Sequence, residues 1–333
     1  MERNLNMSRV GIIAAGIWCV DISYKINNWP EQGKTSMINK RIDGVGGGPS
    51  NVLTNLNYLG FNYPKIGLGC IGIDNNSKII IQHCKKNKII TSYLSKLKKV
   101  STSYTLIMSE KEKERTFFHY PGPNDYLDIK YLQLTKIGNY KPRILYVGYL
   151  TFLGKLDLFK KNKETKLVDL LKKSHKLGMI NCLDLASYNH KSYAQIITSA
   201  LKYCDYLFLN EIEAELATGI KLHSKNVFNK KSAEKAIKKL LNLGVKKAII
   251  LHTPSWALWM GTEGDVIWLK SLKIESKKIK STVGAGDAFA AASIFGIHEG
   301  WNPRNILKKS HAAARSILMT DQSSGNIPHI KKL

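Results

Sequence analysis

Short apolar runs alternate with longer amphipathic stretches along most of this 333-residue chain. The apolar runs, at residues 10–15, 65–70, 143–148, 179–185, 206–209 and 248–251, have the length of buried strands. Between them, three helical stretches carry clear punctuation. Residues 49–59 open on Pro49 and stop at Gly60, 232–243 open on Ser232 and stop at Gly244, and 303–319 open on Pro303. This alternation predicts an α/β fold with a largely parallel sheet covered by helices. Two stretches depart from it. Residues 35–44 and 103–120 are β-rich and lead into no helix, and 102–108 and 115–120 flank the polar segment 109–114 as the arms of a hairpin. They predict a small β insertion in one α/β domain, since no repeat or low-complexity linker marks a second.

Composition changes the picture less than it first suggests. The formal net charge of +26 points to a polyanion partner. Yet 44 of the 51 basic residues are Lys and only 7 are Arg, the residue whose planar fork reads phosphates and bases. With 24 Asn and 36 Ile, the enrichment is the one an AT-rich coding sequence produces, and we expect no nucleic-acid partner. Five scattered cysteines without metal-ligand spacing suggest reduced thiols and a cytoplasmic location. No apolar run is long enough to predict a membrane span.

Two motif matches fail on context. Gly67, Gly69 and Gly72 fit a dinucleotide fingerprint, but residues 73–76 read as a turn, and no acidic residue lies about 20 positions on. Gly33-Lys34-Thr35 resembles the end of a P-loop, but Asn28 stands where its first Gly belongs.

The segment 281–291, STVGAGDAFAA, carries more chemistry. Gly284-Ala285-Gly286 precedes a run apolar on all sides, so the chain turns sharply into a buried helix whose first N–H groups converge as an anion hole. Asp287 in that first turn is either a helix-dipole partner or, beside an anion hole, a base for phosphoryl transfer. Near the other end, Gly46-Gly47-Gly48-Pro49-Ser50-Asn51 enters a helix. It reads as a plain loop, or as close backbone approach to a small ligand whose hydroxyls Asn51 contacts.

Together the two segments resemble the paired signatures of the ribokinase-like (PfkB) carbohydrate kinases, G-G-x-x-x-N and D-T-x-G-A-G-D. The order and spacing fit along nearly the whole chain. The resemblance implies a three-layer α/β/α fold with a small β lid built from about 35–44 and 103–120. It also implies transfer of the γ-phosphate of Mg-ATP to a small ribose-, fructose- or ketodeoxygluconate-like sugar. Asp287 would be the general base, and Gly284, Ala285 and Gly286 would supply the anion hole. Asp21, placed five after Gly16, resembles the acidic residue that binds sugar hydroxyls beside Gly47 and Asn51. Asn124, after Pro121-Gly122-Pro123, stands where an acceptor-binding Asn often lies, though a plain turn fits as well. Asn210 and Glu213 resemble the N-x-x-E pair that organises Mg²⁺ through water. Three apart, they share one helical face, and on spacing alone they serve equally as a helix cap. His311 resembles an adenine-pocket position, unless it is a core histidine, and a homodimer through the lid is implied.

Two departures stand out. Ser281 replaces the first Asp of the second signature, in the segment that helps shape a K⁺ site in relatives, so K⁺ stays as a cofactor that this departure puts in question. The nucleotide loop, usually G-x-x-G, reads 253–257 with Thr253 and Ser255 as its polar groups and both glycines lost. Arg115 would suit a substrate phosphate, or simply face solvent. Two other readings fit the same scaffold. One is a kinase of a nucleoside, vitamin precursor or sugar phosphate; the other is a retired kinase acting as a sugar sensor or nucleic-acid binder.

Overall fold

In the computed structural model, residues 9–333 are described, except 111, 112, 114, 189, 225 and 226. The strands are β1 (Ile12–Gly16), β2 (Cys19–Ile26), β3 (Ile38–Gly46), β4 (Lys65–Ile71), β5 (Ile89–Ile90), β6 (Leu94–Lys96), β7 (Tyr104–Glu110) and β8 (Thr116–Tyr120). They continue as β9 (Ile144–Leu150), β10 (Ile180–Leu185), β11 (Tyr206–Asn210), β12 (His223–Ser224), β13 (Val227–Phe228), β14 (Ala248–His252), β15 (Trp256–Gly261) and β16 (Val266–Lys270). The large sheet runs β16-β15-β14-β11-β10-β9-β1-β4-β5, with β6 also on β4. It is parallel from β14 through β5, and β15 and β16 add an antiparallel edge.

Alternate side chains of these strands feed two cores. Ile13 and Ala15 of β1 pack to one side, and Ile12 and Ala14 to the other. The first side is covered by α3 (Leu167–Lys176), α4 (Tyr193–Ala200), α5 (Glu211–Thr218) and α6 (Lys230–Asn242). The second is covered by α1 (Gly48–Leu59), α2 (Asn75–Lys86), α7 (Ala285–His298) and α8 (Pro303–Leu318). That is the expected three-layer arrangement. Helix α7 is buried from Asp287 through His298, as its apolar circumference requires.

A separate four-stranded sheet has the order β3-β2-β7-β8. It contains both anticipated β-rich stretches, although residues 111, 112 and 114 of the 109–114 connection lie outside the described residues. Strand β2 was not anticipated. Its sequence CVDISYKI does carry the strand period, with Val20, Ile22, Tyr24 and Ile26 on one face and Asp21, Ser23 and Lys25 on the other.

One expectation is corrected. Residues 73–76 do not form a simple turn: Asp74 caps α2 by accepting from the Ser77 N–H at 2.8 Å, so a helix does follow the Gly67–Gly72 segment. The glycines still serve packing. A Cβ at Gly67 would lie 2.7 Å from the buried Trp18 ring, and one at Gly69 would meet the same indole. A carboxylate on the helix N-terminus also repels the anion that a dinucleotide site must hold. No helix among the described residues is long and apolar enough to cross a membrane.

Candidate active site

The strand order reverses around β1, with β4 on one side and β9 on the other, the place where open α/β sheets leave a crevice at their C-terminal edge. From Gly16 the chain rises into β2, returns along β3 and enters α1 through three glycines. A side chain at Gly46 would collide with the Asp21 carboxylate. Gly47 has φ 93°, and a Cβ there would strike the Ile17 carbonyl oxygen. The glycine run thus lets two backbone segments and a carboxylate meet, and it sets Asn51 in the first turn of α1 above the strand ends.

Asn51 there meets Asp287. Its Nδ2 donates to Asp287 Oδ2 at 2.8 Å, and Ser323 Oγ donates to Asn51 Oδ1 at 3.4 Å. The Tyr149 hydroxyl also contacts the carboxylate, 2.8 Å from Oδ2 and 3.0 Å from Oδ1. Asp287 is only 5% exposed. Burial pushes its carboxyl up to about 6, against the pull of the Tyr149 and Asn51 hydrogen bonds. Asp21 is likewise raised to about 6 by burial, opposed by hydrogen bonds from Cys19 and Thr105.

Gly284 caps α7 in the left-handed region (φ 81°), where any side chain would collide with the Ser323 carbonyl oxygen. Among the described residues no side chain caps this helix end; the Ala285 N–H reaches the Thr282 carbonyl at 3.4 Å, and the positive end of the dipole faces the site. Behind the turn, a Cβ at Gly286 would lie 3.2 Å from His252 Nε2. His252 stacks on Phe289 at 5.1 Å, and Phe289 meets His311 edge-on at 5.5 Å.

On the next strands Asn210 caps α5. Its Oδ1 accepts from the Glu213 N–H at 2.9 Å, and Glu213 Oε2 accepts from the Asn210 N–H at 2.8 Å. The pair therefore forms a capping box. Ser187 links its two side chains, donating to Glu213 at 2.9 Å and accepting from Asn210 Nδ2 at 2.9 Å. Burial raises Glu213 to about 7 and holds Asp184 well above the carboxylate range, and Asp287 adds charge repulsion to both. The Tyr146 hydroxyl donates to Asp184 at 2.8 Å.

The family profile described as pfkB family carbohydrate kinase matches residues 12–330. The chain belongs to that family. This kinase is 24% identical over 297 residues to a 5-dehydro-2-deoxygluconokinase of Clostridium perfringens, spanning 87% of this chain and 82% of the relative. A Bacillus licheniformis protein of the same name is 25% identical over 331 residues, covering 97% and 94%. An Arabidopsis thaliana ribokinase solved with ribose and ATP superposes with a TM-score of 0.78 at 19% identity, covering 97% of both chains. The protein is therefore an ATP-dependent carbohydrate kinase, a phosphotransferase acting on a sugar hydroxyl.

In this kinase the remaining anticipated residues lie further out. Asn124 is buried and bonded through its Oδ1 to the Trp18 N–H at 3.3 Å and through its Nδ2 to the Trp18 carbonyl at 3.1 Å. It borders a cavity of about 390 Å³ with His119, Thr151, Phe152, Asp157 and Tyr188. Asp21 and Arg115 line a different cavity of about 180 Å³, between the small sheet and Val283 and Ser323. Thr253 Oγ1 is occupied by the Ser255 and Trp256 N–H groups, at 3.2 and 2.9 Å, which tightens the β14–β15 turn. Ser255 is exposed on that turn. His311 is buried with its Nε2 3.3 Å from the Leu269 carbonyl. Ser281 Oγ accepts from the Val283 N–H at 3.1 Å.

Sequence reasoning missed Tyr149 and His252. A lone Tyr or His at the end of an apolar strand carries no spacing signal. Tyr149 and Thr151 also adopt left-handed φ values, 67° and 77°, a strain of roughly 1–3 kcal/mol each at non-glycine residues.

Proposed function

We propose that this kinase transfers the γ-phosphate of Mg-ATP to a hydroxyl of a small sugar, with Asp287 as general base. The observation that carries the reading is the buried Asp287–Asn51 pair at the uncapped N-terminus of α7. A carboxylate poised near pH 6 takes the acceptor proton as the oxygen attacks phosphorus. The N–H groups of residues 284–286 would supply donors for negative charge on the phosphoryl oxygens, the Ala285 N–H by exchanging its 3.4 Å bond to Thr282. Asp21, Gly47 and Asn51 would hold the acceptor, and Thr253 and Ser255 would border the nucleotide.

Mg²⁺ suits the acidic groups around this edge. Burial raises Asp184, Glu213 and Asp287, the charge of Asp287 adds to the rise of the other two, and none has a salt-bridge partner among the described residues. No cluster of three acidic, His or Cys side chains among the described residues stands close enough to chelate an ion directly, so Asn210 and Glu213 would act through water. When bound, the ion would neutralise charge on the ATP phosphates. K⁺ stays a cofactor to assay beside Mg²⁺, with Ser281, whose hydroxyl accepts from the Val283 N–H, standing where relatives carry an Asp.

The small sheet would act as a lid on a single kinase unit. Its exposed aromatics, Phe117, Phe118 and the stacked Trp29, support pairing of two lids in a homodimer. Five free, buried cysteines fit a cytoplasmic location. The names of the relatives make 5-dehydro-2-deoxygluconate the first acceptor to assay, followed by ribose, fructose, nucleosides and sugar phosphates. Acceptor-dependent ADP release with one of the sugars supports the reading. Release with nucleosides alone would redirect it.

A further inference from the structure

We propose that Tyr149 guards the candidate base: its hydroxyl holds the Asp287 carboxylate while the acceptor site is empty, and the acceptor hydroxyl displaces it on binding. The inference rests on Asp287 being the base.

Geometry is the first argument. A general base must lie about 2.6–3.2 Å from the oxygen whose proton it takes. The Tyr149 oxygen already stands 2.8 and 3.0 Å from the two carboxylate oxygens, and Asn51 occupies Oδ2 from another direction. Asp287 is almost fully buried and both its oxygens are already bonded, so a sugar hydroxyl that takes the position of the phenol gains the carboxylate at proton-transfer distance. The phenol is a stand-in for the acceptor, but one fixed to the protein. It remains a donor, because burial and the charge of Asp287 keep it far from ionising.

The backbone supplies a means of release. Tyr149 and Thr151 are both left-handed, and a turn closes from the Phe152 N–H to the Tyr149 carbonyl at 3.0 Å. Thr151 Oγ1 is buried without a partner among the described residues. Thr151 and Phe152 border the 390 Å³ cavity, so the segment has space beside it. Asp157 holds the far side of the turn through the Leu153 N–H at 2.6 Å, so the Tyr149 end is the one that the strained backbone can release when the phenol is displaced.

The guard also has a chemical purpose. With ATP bound and no sugar present, an uncovered carboxylate would take a proton from water. The water oxygen would bond to the γ-phosphorus as the bond to the bridging oxygen breaks, and ADP would leave. Covering Asp287 with a phenol removes that route until an acceptor competes for the position.

The test needs no identified acceptor. ADP release from Mg-ATP is measured without sugar for the wild type, Tyr149→Phe, Tyr149→Leu and Tyr149→Phe/Asp287→Asn, each first shown to be folded by thermal melting. Tyr149→Phe should raise sugar-free release roughly tenfold or more, and Asp287→Asn should abolish the gain. Tyr149→Leu removes the same hydroxyl with a different shape and should behave alike. With 5-dehydro-2-deoxygluconate or ribose, the acceptor KM of Tyr149→Phe should stay level or fall, because the phenol no longer competes. Unchanged sugar-free release, a gain that survives Asp287→Asn, or a raised KM overturns the guard. Wild-type sugar phosphorylation by Asp287→Asn alone would instead overturn the base itself.

Discussion

Asn51 and Asp287 stand 236 positions apart in sequence yet share a buried hydrogen bond of 2.8 Å. The amide reaches the carboxylate from the first turn of α1, and the carboxylate sits in the first turn of α7. One bond thus joins the two segments that the sequence singles out. Asp287→Asn keeps the shape but cannot accept a proton at neutral pH, so turnover should fall by about 10²–10⁴. Its melting temperature should hold or rise, since a buried charge is removed. Full activity in a steady-state ADP-release assay would refute the assignment.

The pH profile follows from the same carboxylate. Burial raises Asp287 to about 6, so the ionised, proton-accepting form is lost as pH falls through 6. kcat/KM should plateau above that value and drop about tenfold per unit below it. Asp21 adds repulsion that pushes Asp287 upward, so Asp21→Asn should move the limb to lower pH in addition to weakening acceptor binding. A limb unmoved in that variant would show that the two carboxylates do not sense each other.

Asn210 and Glu213 combine two roles that substitutions can separate. Glu213→Gln retains an oxygen for the Asn210 N–H, so the cap and stability should survive, while the Mg²⁺ concentration for half-maximal activity should rise. Glu213→Ala should lose the cap as well, costing about 1 kcal/mol in chemical denaturation. Equal Mg²⁺ dependence in wild type and Glu213→Gln would leave the pair as a cap only.

Asp157 gives a prediction about stability alone. It is buried, its Oδ1 has no partner among the described residues, and burial raises it to about 7. A carboxyl raised above its unfolded value favours folding below that unfolded value, and the benefit fades as pH rises through 7. Asp157→Asn should therefore be more stable than wild type at pH 8, by on the order of 2–4 kcal/mol, and no more stable at pH 4. Melting curves at the two pH values decide it. Asn can still accept from the Leu153 N–H, which now bonds to Asp157 Oδ2 at 2.6 Å.

What the sequence revealed follows from what leaves a pattern. Apolar runs and caps located the central strands and α1, α6 and α8, because period and punctuation are local properties. The glycines at 46–48 and 284–286 were legible because close backbone approach restricts the residue type. Strand β2 was legible too, in the alternation of Val20, Ile22, Tyr24 and Ile26 with Asp21, Ser23 and Lys25, a signal that the reading of Asp21 as a binding residue passed over. Asp74 reads equally as a turn residue, because a cap and a turn use the same side chain. Tyr149 and His252 act through contacts made only in three dimensions, and no spacing reports such contacts.

The chain positions of the Asn51–Asp287 pair also bear on how the protein is synthesised. Domains begin to assemble from the N-terminus as they leave the ribosome. Strands β1, β4 and β9, with α1 against them, can form well before α7 is made. Asn51 and the glycine entry then wait, with neither carboxylate nor anion hole opposite them, until most of the chain has emerged. A nascent chain can thus own a recognisable core while lacking the groups that would split ATP. Truncation anywhere before α7 should yield a partial fold that has no means of wasting nucleotide.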